Sequence, residues 1–382
     1  MYEIKKLNSI SNLIYENLDK TNYNVTDDAT DPVGILVRSA AMHDYEINPS
    51  LLAVARAGAG VNNIPLPKMT DAGVVVFNTP GANANAVKEL VIAALLLSCR
   101  DILGGVAFSG SLKGKEDAAK QVESGKKAFV GPEIFGKTLG IIGLGAIGAL
   151  VAKAAIALGM KVVGYDPFFT EEKAKSIHEE IVFTTALDDI YAASDFITIH
   201  VPCNDSTRGM ISAESIAKMK DGVRIINCAR AELVNNDDIL AALASGKAAK
   251  YVTDFPVPQV IGVSDKIITI PHLGASTPEA EDNCAVMASA ELKDFLENGN
   301  IKNSVNCPAL SLAKIGNARV TVLTKEVDAE ASVKESLAAF GVKSIASKTR
   351  GEVTYIIADL EKAPSDNALN AIAGKALRVR VI

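Results

Sequence analysis

Gly143, Gly145 and Gly148, an acid at Asp166, a cation at Arg230, a carboxylate at Asp254 and an imidazole at His272 are the residues whose types and spacing could do chemistry. The glycines sit in Gly143-Leu-Gly-Ala-Ile-Gly, after the strand-like run Thr138-Leu-Gly-Ile-Ile and before an alanine-rich helical run. A bare Gly-x-Gly-x-x-Gly is common in loops, but between a strand and a helix it can build a phosphate cradle. Gly143 lets the chain turn tightly and Gly148 lets the helix pack closely on its strand. Gly145, followed by Ala146 and Ile147, lets backbone N–H groups approach a pyrophosphate. The phosphates then lie at a helix N-terminus, where the dipole and unpaired amides favour anions. A second strand-like run, Lys161-Val-Val-Gly-Tyr, ends in Asp166, whose carboxylate would accept hydrogen bonds from a ribose diol and repel a 2′-phosphate. The cofactor expected here is NAD in preference to NADP.

Reversible oxidation of a secondary alcohol by NAD needs a base for the hydroxyl proton and a cation to hold and polarise the substrate. His272, in Pro271-His-Leu-Gly-Ala-Ser-Thr, is the candidate base, because imidazole titrates near working pH. It follows an apolar strand-like run and precedes Ser276-Thr-Pro-Glu, a capped helix start. Of the four histidines, His43 and His178 lie in polar stretches, and His200 sits in a strand-like run where a structural role is the simpler reading. Arg230 follows Ile225-Ile-Asn-Cys, and a guanidinium can bind a carboxylate bidentately. Taken singly, a strand-end arginine is a surface charge and a histidine before a helix is a cap. Together with Asp166 and Asp254 they fall where a doubly wound sheet places its ligands, at the carboxyl ends of strands.

The elements that must position these residues alternate from the start. Gly34 to Val37, Leu52 to Ala55 and Val74 to Phe77 read as short apolar strands in a βα pattern, and Val87 to Arg100 as a long apolar helix. Gly104 to Glu133, rich in Gly, Ser and Lys with little periodicity, reads as a crossing between domains. Asp195 to Pro202, Val223 to Cys228 and Lys250 to Asp254 continue the strands, and the helix opened at Ser276 runs to about Asn298 and returns the chain to the first domain. Beyond Pro308 the pattern becomes βαββαβ, a small ferredoxin-like domain.

Composition sets the outer bounds. A charged fraction of 22% with a net charge of −6 and no basic block makes nucleic acid an unexpected partner. The longest apolar stretch, Leu90 to Cys99, is about half of what a bilayer crossing requires, so no membrane partner and a cytoplasmic location are expected. The five cysteines, Cys99, Cys203, Cys228, Cys284 and Cys307, are scattered without a C-x-x-C pair, which argues for small buried hydrophobes and against a disulfide framework or a metal site.

Over roughly its first 310 positions the chain resembles the D-2-hydroxyacid dehydrogenases. The motifs that carry the resemblance are Val37-Arg-Ser-Ala, Ala55-Arg-Ala-Gly-Ala-Gly-Val-Asn-Asn-Ile, Asn78-Thr-Pro-Gly-Ala-Asn, Glu89-Leu-Val-Ile-Ala, the glycine turn, Asn227-Cys-Ala-Arg and Pro271-His-Leu-Gly-Ala-Ser-Thr. The resemblance implies that Arg230 binds the substrate carboxylate and 2-oxygen, that His272 is the acid/base, and that Asp254 lies near the nicotinamide carboxamide. It also implies that Arg38, Ser39, Arg56 and Asn83 face the substrate, where two arginines suit a phosphorylated 2-hydroxy acid such as 3-phospho-D-glycerate, oxidised at the head of a route to serine. A reductase of glyoxylate, hydroxypyruvate or another short 2-keto acid, and an NAD-sensing scaffold, are the alternatives. The expected architecture is α/β: a Rossmann-like substrate-binding domain (1–102 and 275–310), a Rossmann NAD-binding domain (103–274) and an ACT-like regulatory or assembly domain (315–382), in a homodimer or homotetramer. Two departures stand out. The family places a glutamate a few residues after Asp254 to orient the histidine, whereas this chain reads Asp254-Phe-Pro-Val-Pro-Gln, with Pro258 at or beside that position. Lys325-Glu-Val-Asp-Ala-Glu also lacks the Asn and Gly pattern with which ACT domains hold an amino acid.

Overall fold

The computed structural model describes residues 1–326 and 328–382; Val327, inside the Lys325–Glu330 segment singled out above, lies outside the described residues. By compactness the chain divides into two units, Met1–Asn83 with Pro278–Ile382, and Ala84–Thr277. The first unit opens with β1 (Tyr2–Lys6), β2 (Tyr23–Thr26), β3 (Gly34–Val37), β4 (Ala53–Arg56), α1 (Leu66–Asp71) and β5 (Val75–Phe77). They form a parallel sheet in the order β2-β1-β3-β4-β5. Strands β3, β4 and β5 are buried on both faces apart from the half-buried Arg56, as a parallel sheet covered on both sides requires. The order reverses at β1, so the β1/β3 edge is the switch point at which such sheets bind ligands. Arg38 and Ser39 follow β3 at that end, and Arg56 is the last residue of β4, in register with Val37.

The second unit begins with α2 (Ala84–Cys99), α3 (Ile102–Ser111) and α4 (Ala118–Gly125). The Gly104–Glu133 stretch, expected to be an irregular crossing, is therefore largely helical. Its glycines mask the periodicity because they are weak helix formers, but Asp101 caps α3 by accepting the Gly104 N–H at 3.1 Å, and Phe108 packs on Phe129 with ring centroids 5.4 Å apart. Then come β6 (Thr138–Ile142), α5 (Ala146–Ala157), β7 (Lys161–Tyr165), α6 (Glu171–Ile177), β8 (Val182–Thr184), α7 (Leu187–Ala193) and β9 (Phe196–Ile199). The unit closes with α8 (Ala213–Ala217), β10 (Val223–Asn227), α9 (Asn236–Ser245), β11 (Ala248–Thr253) and β12 (Ile267–Thr269). Its seven strands are parallel in the order β12-β11-β10-β9-β6-β7-β8, a doubly wound sheet whose switch point lies between β6 and β9. Helix α2 packs on α5 of this unit, its Val87, Val91, Ala94 and Leu95 joining the core built on β6 and α5. Among the described residues no single helix is long and apolar enough to cross a membrane; α2 and α3 together reach that length only across a 69° bend.

Helix α10 (Pro278–Asn298) rejoins the first unit and packs on β3, β4 and β5. The chain ends in β13 (Ala318–Thr324), α11 (Ala329–Leu337), β14 (Val342–Arg350), β15 (Val353–Leu360), α12 (Asp366–Ala373) and β16 (Arg378–Val381). These strands pair antiparallel in the order β14-β15-β13-β16, the ferredoxin-like arrangement expected from the βαββαβ pattern. This third sheet belongs to the same compact unit as the first. Tyr355 and Ile357 share a core with Ile4 and Phe295, and the Arg378 guanidinium donates to the carbonyls of Leu51 and Ala72. Arg319 and Asp359, both fully buried, form a two-bond ion pair at 2.7 and 2.9 Å inside the sheet.

Candidate active site

The glycine turn sits at the switch point of the second sheet. Gly143 has φ 98°, a left-handed value that favours glycine, and a Cβ there would lie 2.6 Å from the His200 carbonyl oxygen at the end of β9. A Cβ on Gly148 would run into the Gly143 carbonyl, so the helix can approach the turn only as glycine. Gly145, by contrast, faces open space, with no heavy atom within 4 Å of a Cβ placed there. The amides of Ala146, Ile147 and Gly148 precede the first helical hydrogen bond, from Ala149 N–H to Gly145 O, and so are the donors α5 leaves unpaired at its positive end. Asp166, directly after β7 and 8% exposed, accepts the Leu144 N–H at 3.0 Å and the Phe168 N–H at 2.9 Å. Its carboxylate thus braces the glycine turn as well as flanking it, and each oxygen keeps a second lone pair for a ribose hydroxyl. His200 follows β9 as expected for a structural residue: burial pushes its imidazole down to about 3, which leaves the ring neutral at working pH.

Arg230, Asp254 and His272 all belong to this unit, at the carboxyl ends of β10, β11 and β12. Asn227, fully buried, folds the segment before Arg230: its Oδ1 accepts the Ala229 N–H at 3.1 Å and its Nδ2 donates to the Arg230 carbonyl at 2.8 Å. The Arg230 side chain is left exposed. Asp254, 1% exposed, clamps the histidine turn from two atoms, its carbonyl accepting the His272 N–H at 2.9 Å and its Oδ2 the Gly274 N–H at 3.1 Å. His272 has φ 26°, a strained value for a residue with a side chain, and this double clamp holds it there. Burial raises the Asp254 carboxyl above its ordinary value, opposed by the Gly274 amide and by the positive charges of His272 and Arg230. The Phe255 ring lies 4.5 Å from the His272 ring, centroid to centroid, and 5.6 Å from the Arg230 guanidinium carbon.

In the first unit, Asn8, just past β1, gathers the loop after β3: its Oδ1 accepts the N–H groups of Arg38, Ser39 and Ala40 at 3.2, 3.2 and 2.9 Å. Arg56 Nε donates to the Arg38 carbonyl at 3.1 Å, so the two arginines are neighbours, and the Arg56 guanidinium lies over Gly58, where a Cβ would strike it. Ser39 is exposed and Asn83 half-buried in the turn that ends this unit's first segment. The Arg38 guanidinium is paired with Glu281 of α10.

These residues fit NAD on two independent observations. The Gly145 position is open exactly where a pyrophosphate needs room beside unpaired amides, and Asp254 Oδ1 is a buried acceptor without a partner among the described residues, suited to a carboxamide N–H. A family model described as D-isomer specific 2-hydroxyacid dehydrogenase, NAD binding domain, matches residues 107–275. The chain carries the NAD-binding domain of that family over this stretch. It is 37% identical over 285 residues to D-3-phosphoglycerate dehydrogenase of Bacillus subtilis, covering 72% of this chain and 52% of that one. It is 38% identical over 289 residues to the enzyme of the same name from Rattus norvegicus, covering 73% and 52%. The chain spans about half the length of these curated relatives. Among solved structures, the NAD+-bound 3-phosphoglycerate dehydrogenase of Entamoeba histolytica is similar with a TM-score of 0.62 and 26% identity, covering 81% of this chain and 99% of that one.

The residues that hold these candidates in place are the ones least legible in the sequence. Asn8 and Glu281 carry no motif of their own; Asn227 opens the Asn227-Cys-Ala-Arg motif, and its type is the signal for its role, since Asn folds such turns onto their own backbone. Phe255 was hidden because an aromatic residue at a strand end reads as core.

Proposed function

We propose that this dehydrogenase oxidises 3-phospho-D-glycerate to 3-phosphohydroxypyruvate with NAD, a reaction that heads a route to serine. The observation that carries the reading is the adjacency of Arg38 and Arg56 at the carboxyl ends of β3 and β4, two guanidiniums on one unit for a phosphoryl group. The names of the curated relatives support it. A bound NAD would supply the acceptor for the hydride that leaves the substrate's secondary carbon. Arg230 holds the carboxylate through its planar fork and stabilises negative charge growing on the 2-oxygen. His272 takes the hydroxyl proton on its ring nitrogen and returns it in reduction. Asp254 keeps His272 in place through the Asp254 carbonyl and Gly274 contacts. Asp166 holds the ribose hydroxyls and Ala146, Ile147 and Gly148 the pyrophosphate. Ser39 and Asn83 complete the substrate's polar contacts.

A second reading, a reductase of glyoxylate, hydroxypyruvate or a similar 2-keto acid, is favoured by one observation: Glu281 already neutralises Arg38. A substrate panel with NAD and NADH decides between them. Phosphoglycerate should give the highest kcat/KM, and Arg38→Ala and Arg56→Ala should each weaken it by about 2–5 kcal/mol while leaving NAD binding intact. Preference for the unphosphorylated acids, insensitive to both arginines, selects the reductase. We keep 315–382 as a regulatory or assembly domain of ACT type, and a cytoplasmic homodimer or homotetramer as the working form. Exposed Ile102, Leu103 and Val106 on α3 support self-association, which light scattering of the purified chain tests.

A further inference from the structure

We propose that Phe255 is a positioning residue that holds the His272 imidazole and the Arg230 guanidinium in their working orientations; this rests on reading those two as acid/base and carboxylate clamp. An acid/base imidazole has to be kept in one orientation, and a hydrogen bond from a carboxylate is the usual means. Among the described residues no carboxylate bonds the His272 ring, and the segment in which the resemblance led us to expect one is Pro256-Val-Pro258. What does touch the ring is Phe255, 4.5 Å between centroids at an interplanar angle of 44°, within the range of attractive tilted aromatic pairs. The same ring lies 5.6 Å from the Arg230 guanidinium carbon, close enough for a cation–π contact. One rigid side chain with two torsions therefore meets both reactive groups.

The backbone makes Phe255 a firm support. Its N–H donates to Thr253 Oγ1 at 3.0 Å, and Pro256 after it confines Phe255 to extended conformations. Its neighbour Asp254 fixes the His272 main chain, so the two consecutive residues divide the work: Asp254 sets the backbone of His272, and Phe255 sets its ring. The negative face of the aromatic ring also suits what it touches, since Arg230 is cationic throughout and the imidazole becomes cationic when it takes the proton.

The test compares Phe255→Leu, which keeps apolar volume without the aromatic face, with Phe255→Tyr, which keeps the face. Steady-state rates are measured with 3-phospho-D-glycerate and NAD and with hydroxypyruvate and NADH, beside NAD affinity and Tm. A misplaced base should cost Phe255→Leu roughly 10- to 100-fold in kcat with NAD affinity and Tm near wild type, whereas Phe255→Tyr should stay within about threefold. An independent measurement is the His272 ring Cε1–H resonance, identified by its absence in His272→Gln. It should carry a ring-current shift in wild type and Phe255→Tyr and lose it in Phe255→Leu. Equal kcat in Phe255→Leu and wild type, parallel losses in both variants, or no change of the resonance overturns the proposal. Full activity of His272→Gln would instead overturn the reading of His272 itself, and the resonance still decides whether Phe255 orients that ring.

Discussion

Gly145 and Gly148 are three residues apart in one turn, yet alanine at each should fail for opposite reasons. At Gly148 the added methyl meets protein: its Cβ would lie 3.0 Å from the Gly143 carbonyl carbon and 3.3 Å from Ile141 Cγ2, and closer still to the Gly143 oxygen. None of these atoms is the end of a flexible side chain, so α5 and the turn must separate by an ångström-scale shift. Overpacking of this kind costs about 1–3 kcal/mol, or roughly 2–12 °C in Tm for a unit of this size. At Gly145 the methyl meets nothing in the protein, and the backbone there, φ −63° and ψ −161°, is open to any residue. Gly145→Ala should therefore keep the wild-type Tm without ligand and lose NAD affinity at least about tenfold, ~1.4 kcal/mol, because the methyl occupies the space beside the α5 amides. Scanning calorimetry of the free proteins and isothermal titration with NAD read the two effects separately. Wild-type NAD affinity in Gly145→Ala would refute the cradle, and an unchanged Tm in Gly148→Ala would refute the close packing of α5 on its turn.

Asp166→Ala should narrow the preference for NAD over NADP and also lower Tm, because it removes the acceptor of the Leu144 and Phe168 amides; equal use of both cofactors by the wild type would end the ribose assignment. Glu281→Gln frees Arg38 and should tighten 3-phosphoglycerate more than glycerate in competition assays, with no gain for either if Arg38 does not meet the phosphoryl group. Burial pushes the Glu291 carboxyl up to about 7 from its ordinary 4.5, so the fold retains a proton that the unfolded chain has released. Stability from this group is present below the lower value and lost as pH rises through the upper one, and Tm profiles should fall across that window in wild type and flatten in Glu291→Gln. Arg319→Leu strands the fully buried Asp359 and should cost about 3–5 kcal/mol in denaturant melts, a cost that the paired change with Asp359→Leu should largely remove.

The parts of this molecule legible in the sequence are those in which one local pattern forces one local structure. The turn after β6 could be read because each glycine has a separate steric reason to be there. The final βαββαβ segment could be read because its strands and helices alternate with clear periods. The α3–α4 region could not: glycines dilute its helical signal, and what makes it helical is an aspartate cap and two aromatic rings brought together only by folding. Packing also runs across sequence distance, so no reading of Val87 to Arg100 alone reveals that this helix lies on α5 or that the last sheet shares a core with the first.

The site divides along the same line. Types and spacing point to His272, Arg230 and the glycine turn because their chemistry is uncommon, but what positions them is ordinary chemistry at a particular place. The resemblance places Asp254 beside the cofactor, and in the structure one of its carboxylate oxygens and its carbonyl hold the His272–Gly274 turn, which leaves a single oxygen, Oδ1, without a partner among the described residues. On the proposed roles, a residue that uses two of three oxygens to fix the histidine turn and offers the third to the cofactor ties the two together, so a change that moves the nicotinamide end also moves the turn. The same two bonds hold His272 in a chain without the expected acid near Pro258. The strain at His272, φ 26°, is sustained by one bond to the Asp254 carbonyl and one to its carboxylate, both from main-chain N–H groups of the turn. Asp254→Asn keeps the shape and two of the acceptors, so it should preserve the turn while weakening the cofactor end, whereas Asp254→Ala should lose the Gly274 bond and the cofactor end together and leave only the carbonyl bond to His272.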